Sequence, residues 1–216
     1  PLVYKEKPNP LELFQIWLNL PKSKKFAEPF YKMLWAEDIP VHEVNDEQGL
    51  TSKITVIAGE FGDAKAQAPA PDSWAADPQN EIGIWLIAMD PGAYLEIPPV
   101  SLETRRSLYF YKGSGINIAG VDVNPYNEVE LLADQPVKLK NGSEKGYLLM
   151  LQGRPINEPV VQHGPFVMNY GAEIKQAFLD YRKTQFGGWP WQRPDNVHSR
   201  EARRFAKYED GSEEMK

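Results

Sequence analysis

The chain has 216 residues, no cysteine, three histidines and a net charge of −6 from 24 basic and 30 acidic side chains. A chain of this length buries roughly 70% of its unfolded surface and fits one large domain or one and a half smaller ones. Without cysteine there are no disulfides, thiolate zinc sites, iron–sulfur clusters or Cys nucleophiles, and the acidic balance speaks against direct nucleic-acid binding.

The 16 glycines and 19 prolines suit a turn-rich all-β domain better than a helical bundle. The start, Pro1-Leu2-Val3-Tyr4-Lys5-Glu6, lacks the order of a secretory signal and no apolar run approaches ~18 residues. A cytoplasmic, non-membrane protein is therefore expected.

In chain order, Leu13 to Leu20 predicts a strand between Pro10 and Pro21, apolar on both faces and so either buried on both sides or crossing between two sheets. Lys22, Lys24 and Lys25 then turn into solvent. Short strands follow at even spacing: Val41 to Val44, Ser52 to Gly59, Ile82 to Met89, Gly92 to Ile97, Ser107 to Lys112, Gly115 to Ile118, Asn127 to Leu132, Pro136 to Lys140 and Gly146 to Gly153. That rhythm argues a sandwich or barrel. Asp90-Pro91-Gly92, Lys112-Gly113-Ser114-Gly115 and Asn141-Gly142 supply its turns. Gly62 to Asn80 reads as a long surface loop, either functional or an arm packed on the barrel. Ala172 to Phe186 predicts a helix with Ile174, Phe178, Tyr181 and Phe186 on one side. Asn169 or Gly171 is placed to cap it and Gly187-Gly188 to end it. A Trp189-Pro190-Trp191 arm and a mixed-charge extended tail follow.

Chemistry-bearing residues are sparse. His42, His163 and His198 stand apart, none at ligand spacing from another, so structural or surface roles are the default. His163 is the best placed for a site, in the motif-dense Gly153 to Asn169 with Glu158 five residues before it. No Ser elbow or Asp completes a triad. Glu128 and Glu130 share one strand face, which reads as solvated. The residues by themselves thus reach a β-sandwich or barrel with a C-terminal helix and arm, and name no activity.

Taken together, Phe14 to Pro21, Thr55-Val56-Ile57-Ala58-Gly59-Glu60, Asp90-Pro91-Gly92 and above all the segment from Gly153-Arg154-Pro155 through Val161-Gln162-His163-Gly164-Pro165 to Asn169 resemble the pirin family. Glu173-Ile174, Ala177 to Tyr181 and Phe186-Gly187-Gly188-Trp189 extend the likeness, with Val197-His198 and Arg200 similar to the tails of bacterial members. The resemblance implies an all-β cupin, a double-stranded β-helix or jelly-roll barrel, with a C-terminal helix. It further implies a bicupin whose one non-haem metal, usually iron, sits in the N-terminal barrel. Some bacterial members cleave quercetin there.

By that resemblance residues 1–40 are expected to be the last strand and linker of an N-terminal cupin, 41–170 the C-terminal cupin, and 171–216 the helix and arm. The metal-bearing half is expected upstream of Pro1. Laying the cupin motif from Gly92 puts Pro98 and Val100 at the His positions and Arg105 at or near the Glu position. Neither apolar side chain ligates a metal and an arginine repels one, so no cofactor is expected in this chain, which alone should be inactive. Arg105 and Arg106 are expected to be paired with nearby carboxylates or exposed; an anion pocket through Arg105 and Arg106, or a contact from His163, is the alternative. The expected partners are the chain's own N-terminal cupin, a flavonoid-like small molecule in the intact protein, and further copies of the chain through the apolar Leu13 to Leu20 edge. Two functions follow: a quercetin 2,3-dioxygenase-type enzyme whose second barrel is this one, or a redox-sensitive regulatory binding module.

Overall fold

A computed structural model describes residues 4, 6–189, 192–193, 204–208 and 210–216. The chain forms two compact units, residues 20–157 and residues 1–19 together with 158–216.

In the larger unit the strands are β1 (Val41–Asn45), β2 (Thr51–Ala58), β3 (Glu60–Phe61), β4 (Ala64–Lys65), β5 (Gly83–Met89), β6 (Tyr94–Ile97), β7 (Arg105–Lys112), β8 (Ile116–Ile118), β9 (Val121–Val123), β10 (Asn127–Glu130), β11 (Val137–Asn141) and β12 (Gly146–Gly153). They build a six-stranded sheet, β1-β2-β5-β12-β7-β10, and a four-stranded sheet, β6-β11-β8-β9, with every pairing antiparallel. The inward residues follow the period of two that the pleat imposes. Along β5, Gly83, Trp85, Ile87 and Met89 are buried and their neighbours are not. Ile54, Val56, Trp85, Ile87, Leu108, Phe110, Leu148 and Met150 of one sheet meet Leu95, Ile97, Ile116, Ile118, Val137 and Leu139 of the other in one core. Each fully buried side chain of this size stabilises by about 1.5–3 kcal/mol. This is an all-β cupin.

The loop from Gly62 to Asn80 packs on its own unit. Trp74 Nε1 donates to the Arg154 carbonyl at 2.8 Å, Gln67 to the Asp38 carbonyl at 3.2 Å, and Lys24 pairs with Asp72 at 2.9 Å. Its first residues complete the β3–β4 hairpin, too short for periodicity to reveal.

In the smaller unit β13 (Val161–His163) pairs with β14 (Phe166–Met168), followed by α1 (Gly171–Thr184). The aromatic face expected of the helix is present: Phe166 meets Phe178 at 4.8 Å and Phe186 at 5.9 Å, all edge-on. Both helix ends differ from expectation. The N-cap is Tyr170, and the Glu173 carboxylate accepts from the backbone N–H groups of Asn169 (3.0 Å) and Tyr170 (2.9 Å). At the other end Gln185 and Phe186 themselves turn left-handed, before the glycines are reached. The tail is more than an extended arm: β15 (Phe205–Lys207) pairs with β16 (Glu213–Met215). Pro190, Trp191, Val197, His198 and Arg200 lie outside the described residues.

The strand expected at Leu13 to Leu20 does not appear. These residues belong to no sheet, and Leu11, Leu13 and Trp17 are exposed. A run of apolar residues forms a strand only where a partner edge supplies backbone groups.

Candidate functional site

The ligand positions laid from the cupin motif are occupied by side chains that do not hold a metal. Pro98 is exposed on the crossing between β6 and β7, and Val100 donates its backbone N–H to the Ala133 carbonyl at 2.8 Å. Among the described residues no group of three or more His, Cys, Asp or Glu could hold a metal ion. The interior carries a cation of its own instead, because Arg106 points inward.

Arg105 and Arg106 open β7, and the pleat sends them to opposite faces. Arg105 is exposed. Arg106, in the buried row with Leu108 and Phe110, is 2% exposed. The expectation of carboxylate pairing or exposure therefore fails at Arg106. Its guanidinium donates from Nη1 to the Ala133 carbonyl at 3.5 Å; Nε and Nη2 have no hydrogen-bond partner among the described residues. Burial lowers its pKa from the ordinary value. A buried, unpaired charge costs several kcal/mol in general.

Two more orphans accompany it. Gln152 on β12 stands opposite both Arg106 on β7 and Gly83 on β5. Its Nε2 donates to the Glu81 carbonyl at 3.3 Å, whereas Oε1 is buried and unpartnered among the described residues. Trp85, two residues beyond Gly83 and also 2% exposed, has its indole N–H in the same condition. The two side chains meet over the glycine: a Cβ on Gly83 would lie 2.8 Å from Gln152 Cγ and 3.0 Å from Trp85 Cε2.

The rim at this end is a closed polar network. Glu81, just before β5, accepts from the Ser101 and Thr104 hydroxyls, from the Ser101 backbone N–H (3.3 Å) and from Arg154 Nε (3.3 Å). Burial opposes ionisation of this carboxyl, but the hydrogen bonds outweigh it and hold its pKa at about 2. Arg106 is the one charged side chain among the described residues that is fully buried.

Both described histidines contact aromatic rings. His42 bonds Asp63 through Nδ1 and lies 5.6 Å from the Phe61 ring. His163, in the smaller unit, is exposed and meets Phe178 edge-on at 5.4 Å. Glu128, on its solvated strand face, accepts from the Tyr109 hydroxyl at 2.8 Å. The sequence reading missed Trp85, Gln152 and Glu81. Counting the strand period from Leu148 and Met150 would have placed Gln152 inward.

The larger unit is thus a two-sheet cupin barrel whose inner face offers a guanidinium, an indole N–H and an amide oxygen, and no metal-ligand cluster is found among the described residues. Residues 84–187 match the Pirin C-terminal cupin domain family. A provisionally named quercetin 2,3-dioxygenase of Pseudomonas aeruginosa is 33% identical over 195 residues, covering 84% of this chain and 62% of that protein. Human pirin is 32% identical over 184 residues, covering 82% and 58%. The crystal structure of quercetin 2,3-dioxygenase from Acinetobacter baumannii superposes with a TM-score of 0.66 at 28% identity, over 78% of this chain and 55% of that one. The chain belongs to the pirin family and spans less than two thirds of the length of these relatives.

Proposed function

We propose that this chain is the C-terminal, non-metal cupin of a two-barrel pirin-like protein, supporting an N-terminal barrel that carries one non-haem metal, iron by family resemblance, and acts as a quercetin 2,3-dioxygenase-type enzyme. The observation that carries the reading is a barrel interior that holds an unpaired Arg106 cation, which repels a metal ion, with Pro98 and Val100 at the His positions of the cupin motif. The dioxygenase names of the Pseudomonas and Acinetobacter relatives support the activity assigned to the whole. Among the described residues no helix is long and apolar enough to cross a membrane, and we place the protein in the cytoplasm.

Metal analysis and oxygen uptake with quercetin test the reading. The whole two-barrel protein should hold one metal and consume oxygen, and the 216-residue chain should do neither. One tightly held metal per 216-residue chain overturns the assignment. Oxygen-independent capture of a partner by a metal-loaded but inactive whole protein would favour the regulatory module instead.

A further inference from the structure

We infer that the polar end of this barrel binds a small hydroxycarboxylate, held by Arg106 and contacted by Trp85 and Gln152. Nothing in this inference depends on the dioxygenase reading.

The free edge of the guanidinium carries the argument. In arginine, Nε–H and one terminal N–H₂ point the same way and form the fork that meets both oxygens of a carboxylate. Nε and Nη2 are the two nitrogens without a partner among the described residues, while Nη1 is turned to the Ala133 carbonyl. The nearby carboxylate, Glu81, is already engaged by Ser101, Thr104 and Arg154. No carboxylate among the described residues bonds Nε or Nη2 of Arg106, so the fork is open to one from a ligand.

The second orphan sets the rest of the ligand. Gln152 Oε1 is an acceptor, oriented by the Nε2 bond to the Glu81 carbonyl, and needs a donor that a carboxylate cannot provide. A hydroxyl beside the carboxylate provides it. The Trp85 N–H supplies a donor to an oxygen of the same molecule. Size follows from the register: Arg106, Gln152 and Gly83 lie in one row across three strands, so the row spans about 10 Å. Part of that span is filled by the side chains meeting over Gly83, which limits the ligand to a few heavy atoms.

Thermal unfolding and ¹H–¹⁵N spectra of the 216-residue chain with acetate, glycolate or lactate, at fixed ionic strength, test the proposal. A Kd of about 1 mM is reasonable for so small a ligand. At ten times Kd, glycolate or lactate should raise Tm by about 3–5 °C and shift the Trp85 indole resonance, assigned with Trp85→Phe. Acetate should bind more weakly. Arg106→Met should abolish both responses and raise the ligand-free Tm, since it replaces an unpaired buried charge with an apolar side chain of similar length. Arg106→Lys, which keeps charge and loses the fork, should weaken glycolate at least about tenfold. Gln152→Leu should erase the preference for glycolate over acetate. A Trp85 resonance unmoved by all three acids, or a response retained in Arg106→Met, overturns the proposal.

Discussion

The Asn141 carboxamide fills the space that a side chain on Gly146 would need. Its Nδ2 donates to the carbonyls of Met89 (3.0 Å), Asp90 (2.9 Å) and Glu144 (2.8 Å), tying the end of β5 to the turn between β11 and β12. A Cβ on Gly146 would overlap Asn141 Oδ1.

That fit predicts coupling. Asn141→Ala removes the bonds to these three carbonyls, of which Asp90's keeps the Ala93 N–H, and should cost about 2–3 kcal/mol. Asn141→Asp, nearly isosteric, should cost more, since it turns a carboxylate on those carbonyls. Gly146→Ala should be destabilising in the wild type and markedly less so on Asn141→Ala, where the clash has gone. Urea unfolding of the four proteins of this cycle measures the coupling; additive effects would mean the two positions are independent.

Glu81 gives a pH dependence of definite sign. Its folded pKa of about 2 lies below the ordinary 4.5, so the folded state favours the ionised form. The stabilisation is complete above pH 4.5 and is lost as pH falls through that value towards 2. For a site about a quarter exposed this is on the order of 2 kcal/mol. Urea midpoints across this range should fall in the wild type, and Glu81→Gln should be less stable at neutral pH with a shallower fall.

The smaller unit should depend on its aromatic cluster more than on its histidine. Phe178 meets both His163 and Phe166 edge-on, and its loss removes two ring contacts at about 0.5–1.5 kcal/mol each in addition to buried area. Phe178→Ala should expose the amides of α1 to hydrogen exchange. His163→Ala, at an exposed strand end, should change that protection little.

What could be read from the residues follows the range of the interactions. The nine expected barrel strands all exist, because alternation along Ile54-Val56 or Leu148-Met150 is a local signal of which side faces the core. The apolar run at Leu13 to Leu20 misled, since a strand also needs an edge to pair with, and no local pattern reports that. Gln185 and Phe186 take the left-handed turn that neighbouring glycines seemed reserved for. At the candidate site, alternation from Leu108 and Phe110 does place Arg106 inward. That it has no carboxylate there depends on Glu81 being bound by Ser101, Thr104 and Arg154, positions far apart in the chain and joined only by folding.

Gly59 and Gly49 separate backbone conformation from crowding. Both sit at nearly the same left-handed φ, +77° and +78°, so alanine at either incurs a similar conformational cost of about 1 kcal/mol. At Gly49 nothing lies within 4 Å of the added Cβ. At Gly59 the Cβ would overlap the Ile82 carbonyl oxygen, a backbone atom that cannot swing aside, in the residue between Glu81 and the first residue of β5. Gly49→Ala should therefore lower Tm by about 2–4 °C, and Gly59→Ala by at least twice as much. Because the clash pushes on the chain between Glu81 and Gly83, Gly59→Ala should also weaken glycolate binding at Arg106 and Gln152, which Gly49→Ala should leave unchanged. Equal Tm losses in the two variants would show that β2 and β5 separate easily at this end.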